Sequence, residues 1–250
     1  ALPSQIGRTF ALMQAGTTSL LSVLVFLIIM IALTGLAVVS QQAVRKIPVQ
    51  YAQRIVGRKI FRGQSTQLPL KVDYSGVIAV IFSSSVMIIP SMVAKMFEKP
   101  GQTGGFQSVV NWVSTWLAPG HPFYMVLYAA LIVFFCFFYT AITFNPTDVA
   151  ENMKKYGGFV PGIRPGQPTS EYINNILSRI TLGGALLIVI IAVIPDTMSR
   201  WLEVGSYFGG TTLLIMVGVS LDLVSQVESH LLMRHYDGFM KTGRIRSRRG

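Results

Sequence analysis

Five long apolar runs dominate this chain and restrict what it can become. They cover residues 16–39, 74–97, 122–144, 172–194 and 208–232. A helix that crosses a bilayer needs about 20 apolar residues rising 1.5 Å each, and every run is long enough. The first holds no charge. Ser83-Ser84-Ser85 weaken the middle of the second, and the third includes the aromatic string from Phe134 to Tyr139. The fourth is uninterrupted only from Ile180, and the fifth carries an interior acid, Asp222. Asn145-Pro146 and Pro195 follow the third and fourth runs. Both are expected to stop a helix, because proline lacks the backbone donor and crowds the preceding turn.

Only 12% of the residues are charged, against about 25% in soluble domains. That excludes a soluble globular enzyme, a disordered chain and a secreted disulfide scaffold. The single cysteine, Cys136, has no intrachain partner and reads as a packing residue. The chain begins Ala-Leu-Pro, with no basic segment before the first run, so no signal peptide is expected and upstream sequence is expected to be missing.

The net charge of +11 is unevenly placed. Segment 41–72 holds seven cations (Arg45, Lys46, Arg54, Arg58, Lys59, Arg62 and Lys71) and no acid. Segment 145–171 with Arg179 adds four, and the tail 233–250 adds six. In a five-span arrangement these seventeen share one side, leaving Arg8, Lys95, Lys99 and Arg200 on the other. Positive charge collects on the cytoplasmic face. The expected topology is therefore an external N-terminus and a cytoplasmic C-terminus. Between the second and third runs, Phe106, Val109, Val110, Val113, Trp116 and Leu117 share one helical face, expected to lie at the membrane interface, with a re-entrant hairpin as the alternative.

No motif for catalysis or metal binding is present. His121, His230 and His235 form no close ligand pair, and nucleophile-elbow and phosphate-loop patterns are missing. No enzyme activity, cofactor or metal is expected. Asp222 is either a functional intramembrane acid or a residue hydrogen-bonded to a neighbouring helix.

The loops carry more information. In 41–72, Ile47, Val49 and Tyr51 alternate with polar residues, which fits a hairpin with Arg54, Arg58 and Lys59 at its tip. Seven like charges repel, so this loop is expected to stand out into solvent rather than fold on itself. It reads either as a topology anchor or as a docking surface for an anionic partner such as ribosomal RNA. In 145–171 a short helix is expected after Asn145-Pro146, with Asp148 and Glu151 early and Lys154 and Lys155 late, matching the helix dipole. Two Pro-Gly steps then bracket Arg164. That is rigid turn chemistry presenting one guanidinium, though a solvated turn is the plainer alternative.

Four segments resemble one family. They are QSTQLPLKVDYSGVIAVIFSSS from Gln64, FFCFFYTAITFNP from Phe134, GGFVPGIRPGQPT from Gly157 and YFGGTTLLIMVGVSLDLVSQV from Tyr207. In order and spacing they resemble the C-terminal half of bacterial SecY, the channel subunit of the general secretion pathway. The resemblance implies an all-α membrane protein whose five transmembrane helices form one half of a helical channel, with long cytoplasmic loops. It implies a passive conduit in the bacterial inner membrane for unfolded secretory polypeptides, which also releases membrane segments sideways into lipid. It implies the partners SecE, SecG, SecA, the ribosome, signal sequences and the N-terminal half of the channel. By family position Ile81 and Ile215 become members of a pore ring, and Ser83, Ser84 and Ser85 a weak polar seam at the lateral gate. Arg54, Arg58, Lys59 and Arg164 become contacts for the ribosome and SecA. Half of a secondary transporter is the alternative, with Asp222 and the serines as its only polar sites.

Overall fold

The computed structural model describes residues 19–51, 54–56, 59–61, 65–97, 105–118, 120–202 and 209–242. Helix α1 (Leu20–Gln42) starts at Ser19, whose hydroxyl accepts the Ser22 N–H, and runs directly into strand β1 (Val44–Tyr51). Strands β2 (Arg54–Val56), β3 (Lys59–Phe61) and β4 (Ser65–Lys71) follow. Helix α2 (Ile78–Phe97) leads to the short α3 (Gly105–Trp116) and to α4 (Pro122–Thr143). Next come α5 (Pro146–Lys155), the two-residue β5 (Gly158–Phe159), α6 (Gln167–Trp201) and α7 (Gly210–Thr242). The molecule is mostly helical, and among the described residues its strands fall in the loops read as cytoplasmic.

The helices form one bundle and the loops a second body. Leu33 and Ala37 of α1, Ala79, Val80 and Met87 of α2, and Tyr128, Ile132 and Cys136 of α4 are buried together. Ala185, Ile188, Ile191 and Ala192 of α6 and Leu213, Leu214 and Val217 of α7 complete that core. Most of the remaining aliphatic side chains point outward, as lipid allows.

The loop 41–72 does fold, contrary to the expectation from its charge. β1 pairs antiparallel with β4, Ile47 opposite Leu68, and β5 adds to the other edge of β1, Gln50 opposite Phe159. The reason is the alternation itself. Ile47, Val49 and Leu70 turn inward onto Met153, Val160 and Ile173, while Arg45, Lys46 and Lys71 stay exposed in water. Repulsion among solvated cations is small beside that apolar burial.

Pro195 does not stop its helix either; α6 continues to Trp201. Proline at 195 frees the carbonyl of Ile191 from its helical partner. Gly210, at the start of α7, packs directly over the carbonyls of Ile191 and Ala192, where any Cβ would collide. The helix passes through the proline because a neighbouring helix closes over the gap. α6 also begins earlier than the fourth apolar run. Its first turns carry Ile173 and Ile176 into the loop core, and its later turns serve the bundle core. α6 is thus the strut shared by both bodies.

Candidate docking surface and channel wall

The Arg164 turn is built from its neighbours inward. Gly162 (φ +83°) and Gly166 (φ +112°) adopt the left-handed backbone that side chains resist, so each reverses the chain beside a proline. Ile163 tucks into the loop core, and its N–H donates to the Val160 carbonyl at 3.1 Å. The hydroxyl of buried Thr169 donates to the Arg164 carbonyl at 2.8 Å. The N–H groups of Thr169 and Ser170 both donate to the Gly166 carbonyl. The backbone of Arg164 is therefore held on both sides while its side chain is exposed.

α5 closes the underside of this turn. Asn145 caps it by accepting the Thr147 N–H at 3.1 Å, Pro146 opens its first turn, and Lys154 and Lys155 fill its last. Its Ala150 and Met153 are buried, and Tyr156 beyond it is exposed. Tyr51 lies across Gly158, close enough that a Cβ there would press on the ring. β5 and Thr169 were not singled out from sequence. A two-residue strand has no periodicity to read, and a lone threonine has no signature.

At the far end of β1 and β4, β2 and β3 form a small hairpin with Arg54 opposite Phe61 and Val56 opposite Lys59. Arg54 and Lys59 thus sit on paired backbone, separated in sequence from the folded base of the loop. Arg58 lies outside the described residues.

In the bundle, Ile81 and Ile215 are both exposed rather than packed into the core. The three serines behave differently from one another. Ser83 is fully buried and donates to the Ala79 carbonyl at 2.7 Å. Ser84 and Ser85 both donate to the Ile81 carbonyl, each at 2.8 Å. All three hydroxyls are satisfied by their own helix, so none ties α2 to a neighbour. Asp222 is exposed on α7 and is not turned into the bundle.

Where β4 meets α2, the carboxylate of Asp73 accepts the Ser75 hydroxyl at 2.8 Å and the Gly76 N–H at 2.7 Å. The same Ser75 hydroxyl lies 3.4 Å from the buried Cys136 sulfur. Burial pushes the Asp73 carboxyl above its ordinary value, with the bonds from Ser75 and Gly76 opposing. This cluster fixes the connection between β4 and α2 against Cys136 of α4.

The SecY family profile matches residues 1–224. The chain belongs to the SecY family. It is 44% identical over 245 residues to the protein translocase subunit SecY of Vibrio cholerae, covering 98% of this chain and 55% of that protein. Against the same subunit of Escherichia coli K12 it is 42% identical over 248 residues, covering 98% and 54%. Against that of Streptomyces galbus it is 49% identical over 212 residues. The chain thus spans about half the length of the curated relatives it matches. Two solved structures share the fold. One concerns the plug domain of the SecY protein (TM-score 0.56, 16% identity) and the other a protein conducting channel (TM-score 0.54, 14% identity). Each is covered by 90% of this chain, which spans 54% and 53% of them. Family and fold make this a multi-pass membrane protein, and the secondary-transporter alternative finds no support.

Proposed function

We propose that this chain forms the C-terminal half of the wall of a protein-conducting channel in the bacterial inner membrane. The family match, running through residue 224, carries the proposal. Unfolded polypeptide passes along a constriction to which Ile81 and Ile215 contribute aliphatic side chains. Such a ring seals against ions by dewetting and grips no particular side chain. Both isoleucines are left unburied by the bundle, as a ring lining requires. The serines of α2 bond back to their own helix, so a gate at this edge opens without breaking interhelical hydrogen bonds. The chain acts as a conduit without catalysis, and energy comes from SecA or the translating ribosome.

The exposed sheet and the Arg164 turn form the cytoplasmic platform for those two partners. Arg54, Arg58 and Lys59 belong to a loop segment without any acid, so little negative charge in it compensates their field. Arg164 presents a preorganised fork suited to a carboxylate or phosphate. SecE, SecG and the N-terminal half of the channel cover much of the remaining bundle surface. The N-terminus is external and the C-terminus cytoplasmic. Single cysteines introduced at Arg58 and at Gly166 test this directly: both are expected to react with an impermeant maleimide only from the cytoplasmic side. Labelling of either from outside would overturn the topology and the platform with it.

A further inference from the structure

Helix α3 takes no part in the channel reading, and it carries no charge. Its apolar residues divide into two stripes rather than one face. α3 packs on α2, and buried Val110 with half-buried Val113 and Leu117 forms the stripe turned inward. Val109, Trp112 and Trp116 form a second stripe and are 59%, 54% and 38% exposed. Ser108, Asn111 and Thr115 form a third, also exposed. At about 100° per residue the exposed apolar stripe lies between the inward one and the polar one. A helix sided in this way lies flat at a boundary, with protein beneath it, hydrocarbon on one flank and water on the other.

The exposed apolar stripe continues a lipid face. Phe123, Val126, Ala130, Phe134 and Phe138 run exposed down one side of α4. In a spanning helix, a side that is apolar along its length faces hydrocarbon. Trp116 meets Phe123 at 5.6 Å, at the end of that side, and stacks on Trp112 at 5.5 Å. His121 holds the corner: its ring lies 4.8 Å from Trp116, and its Nδ1 accepts the Phe123 N–H at 3.3 Å. Indole rings collect where bilayer meets water, because the ring is apolar while its N–H needs a polar partner.

An independent observation gives such a helix something to do. Four of the long helices hold an apolar stretch sufficient to cross a bilayer; α2 does not. Its apolar stretch, Ile78–Val93, rises about 24 Å against about 30 Å of hydrocarbon. A span that is too short thins the bilayer around it unless interfacial residues fix its ends. α3 is the element that packs beside this span and carries the interfacial side chains.

We propose that α3 is a lipid anchor for α2. It seats Val109, Trp112 and Trp116 in the interfacial layer of the leaflet opposite the sheet, and so sets the depth of a span too short to set its own. Without charge, α3 recognises that layer by its polarity and not by the sign of its headgroups. The proposal rests on the membrane-spanning character of the family and not on the translocation role, so its test reads depth rather than transport.

The experiment attaches a nitroxide to single cysteines, in a background carrying Cys136→Ser, on the complete channel in phosphatidylcholine vesicles with and without phosphatidylglycerol. Collisions with oxygen, which concentrates in hydrocarbon, are compared with collisions with a water-soluble nickel chelate. Oxygen is expected to dominate for Val109→Cys and Trp112→Cys. Nickel is expected to dominate for Ser108→Cys, Asn111→Cys and Thr115→Cys, in both kinds of vesicle. Nickel dominance at 109 and 112 would put the stripe in water. Few collisions of either kind there would put a protein chain over it, and oxygen dominance at all five positions would make the segment a re-entrant hairpin. Each of these results overturns the proposal. A label on exposed Met96, near the end of α2, reads the anchoring itself. Combining Met96→Cys with Trp112→Ser and Trp116→Ser is expected to move that label toward the hydrocarbon, by up to the shortfall of about 6 Å. The shift should grow in bilayers of longer acyl chains. A label that keeps its depth in every bilayer would show that α3 does not anchor α2.

Discussion

The bundle core and the loop core are made of the same aliphatic residues, yet they are held together by different physics. The loop core of Ile47, Val49, Leu70, Met153, Val160 and Ile173 is built around the sheet, apart from the bundle core. Its residues leave water when the sheet docks, so the hydrophobic effect drives it. The bundle core, around Ile132, Ile188 and Ile191, forms among helices already surrounded by hydrocarbon. Lipid tails are as apolar as those side chains, so close packing and small residues at helix contacts have to do the holding. Gly210 over the Ile191 and Ala192 carbonyls is such a contact.

That difference orders the expected effects of mutation. The largest belongs to Gly210→Val, which drives a branched side chain into two backbone carbonyls that cannot yield. It is expected to destabilise the α6–α7 contact by about 3 kcal/mol or more. The loss should be visible as a lower thermal unfolding midpoint in detergent and as protease sensitivity between α6 and α7. A midpoint equal to that of the unaltered protein would mean the two helices are not held by that close approach.

Next comes a matched pair. Ile173 and Ile132 are both fully buried, one in each core. Ile173→Ala is expected to cost about 3 kcal/mol, from lost transfer and a cavity together. Ile132→Ala should cost about half as much, because only the packing part is lost in lipid. Hydrogen exchange checks both at once. Ile173→Ala should free the β1 and β4 amides while leaving α4 protected. Equal costs, or release of the helices by Ile173→Ala, would erase the distinction between the cores.

The smallest effect concerns Asp73, at the joint between the two bodies. Its carboxyl titrates higher in the folded chain than in the unfolded one. Its contribution to stability is therefore complete below the ordinary carboxylate value and is lost as pH rises through the folded value. Asp73→Asn keeps an acceptor for Ser75 and Gly76 and is expected to flatten that part of the stability profile. Unfolding midpoints measured between about pH 4 and pH 7 decide it; an unchanged slope would show that Asp73 is well solvated.

The two bodies were not equally legible in the sequence. Length and hydropathy alone mark the helices of the bundle, and the Asn-Pro start of α5 with its early acid and late lysines is a local signal complete in itself. What escaped depends on contacts between distant segments. Pro195 looked like a stop because its repair is Gly210, fifteen residues later. The loop 41–72 looked unable to fold because its seven charges are local and its apolar partners, Met153, Val160 and Ile173, are remote. Ser83 was grouped with its two neighbours, although helical geometry turns it alone into the core.

Division of labour between the two bodies is the central claim, and one assay reads both sides of it. Vesicles holding equal amounts of each variant are measured for ion leak and for SecA-driven import of a secretory precursor, with SecA limiting. If Ile215 lines the proposed aliphatic ring, Ile215→Asn wets it and is expected to raise leak and admit precursors with defective signals, with SecA dependence unchanged. Arg164→Glu reverses the charge on a rigid exposed turn and is expected to slow import several-fold, with leak unchanged and with recovery at saturating SecA. Arg164→Lys should fall between, because it keeps the charge and loses the fork. Each variant moving its own readout alone is the predicted result. Unaltered import by Arg164→Glu, or a change in leak from that loop variant, would contradict the claim.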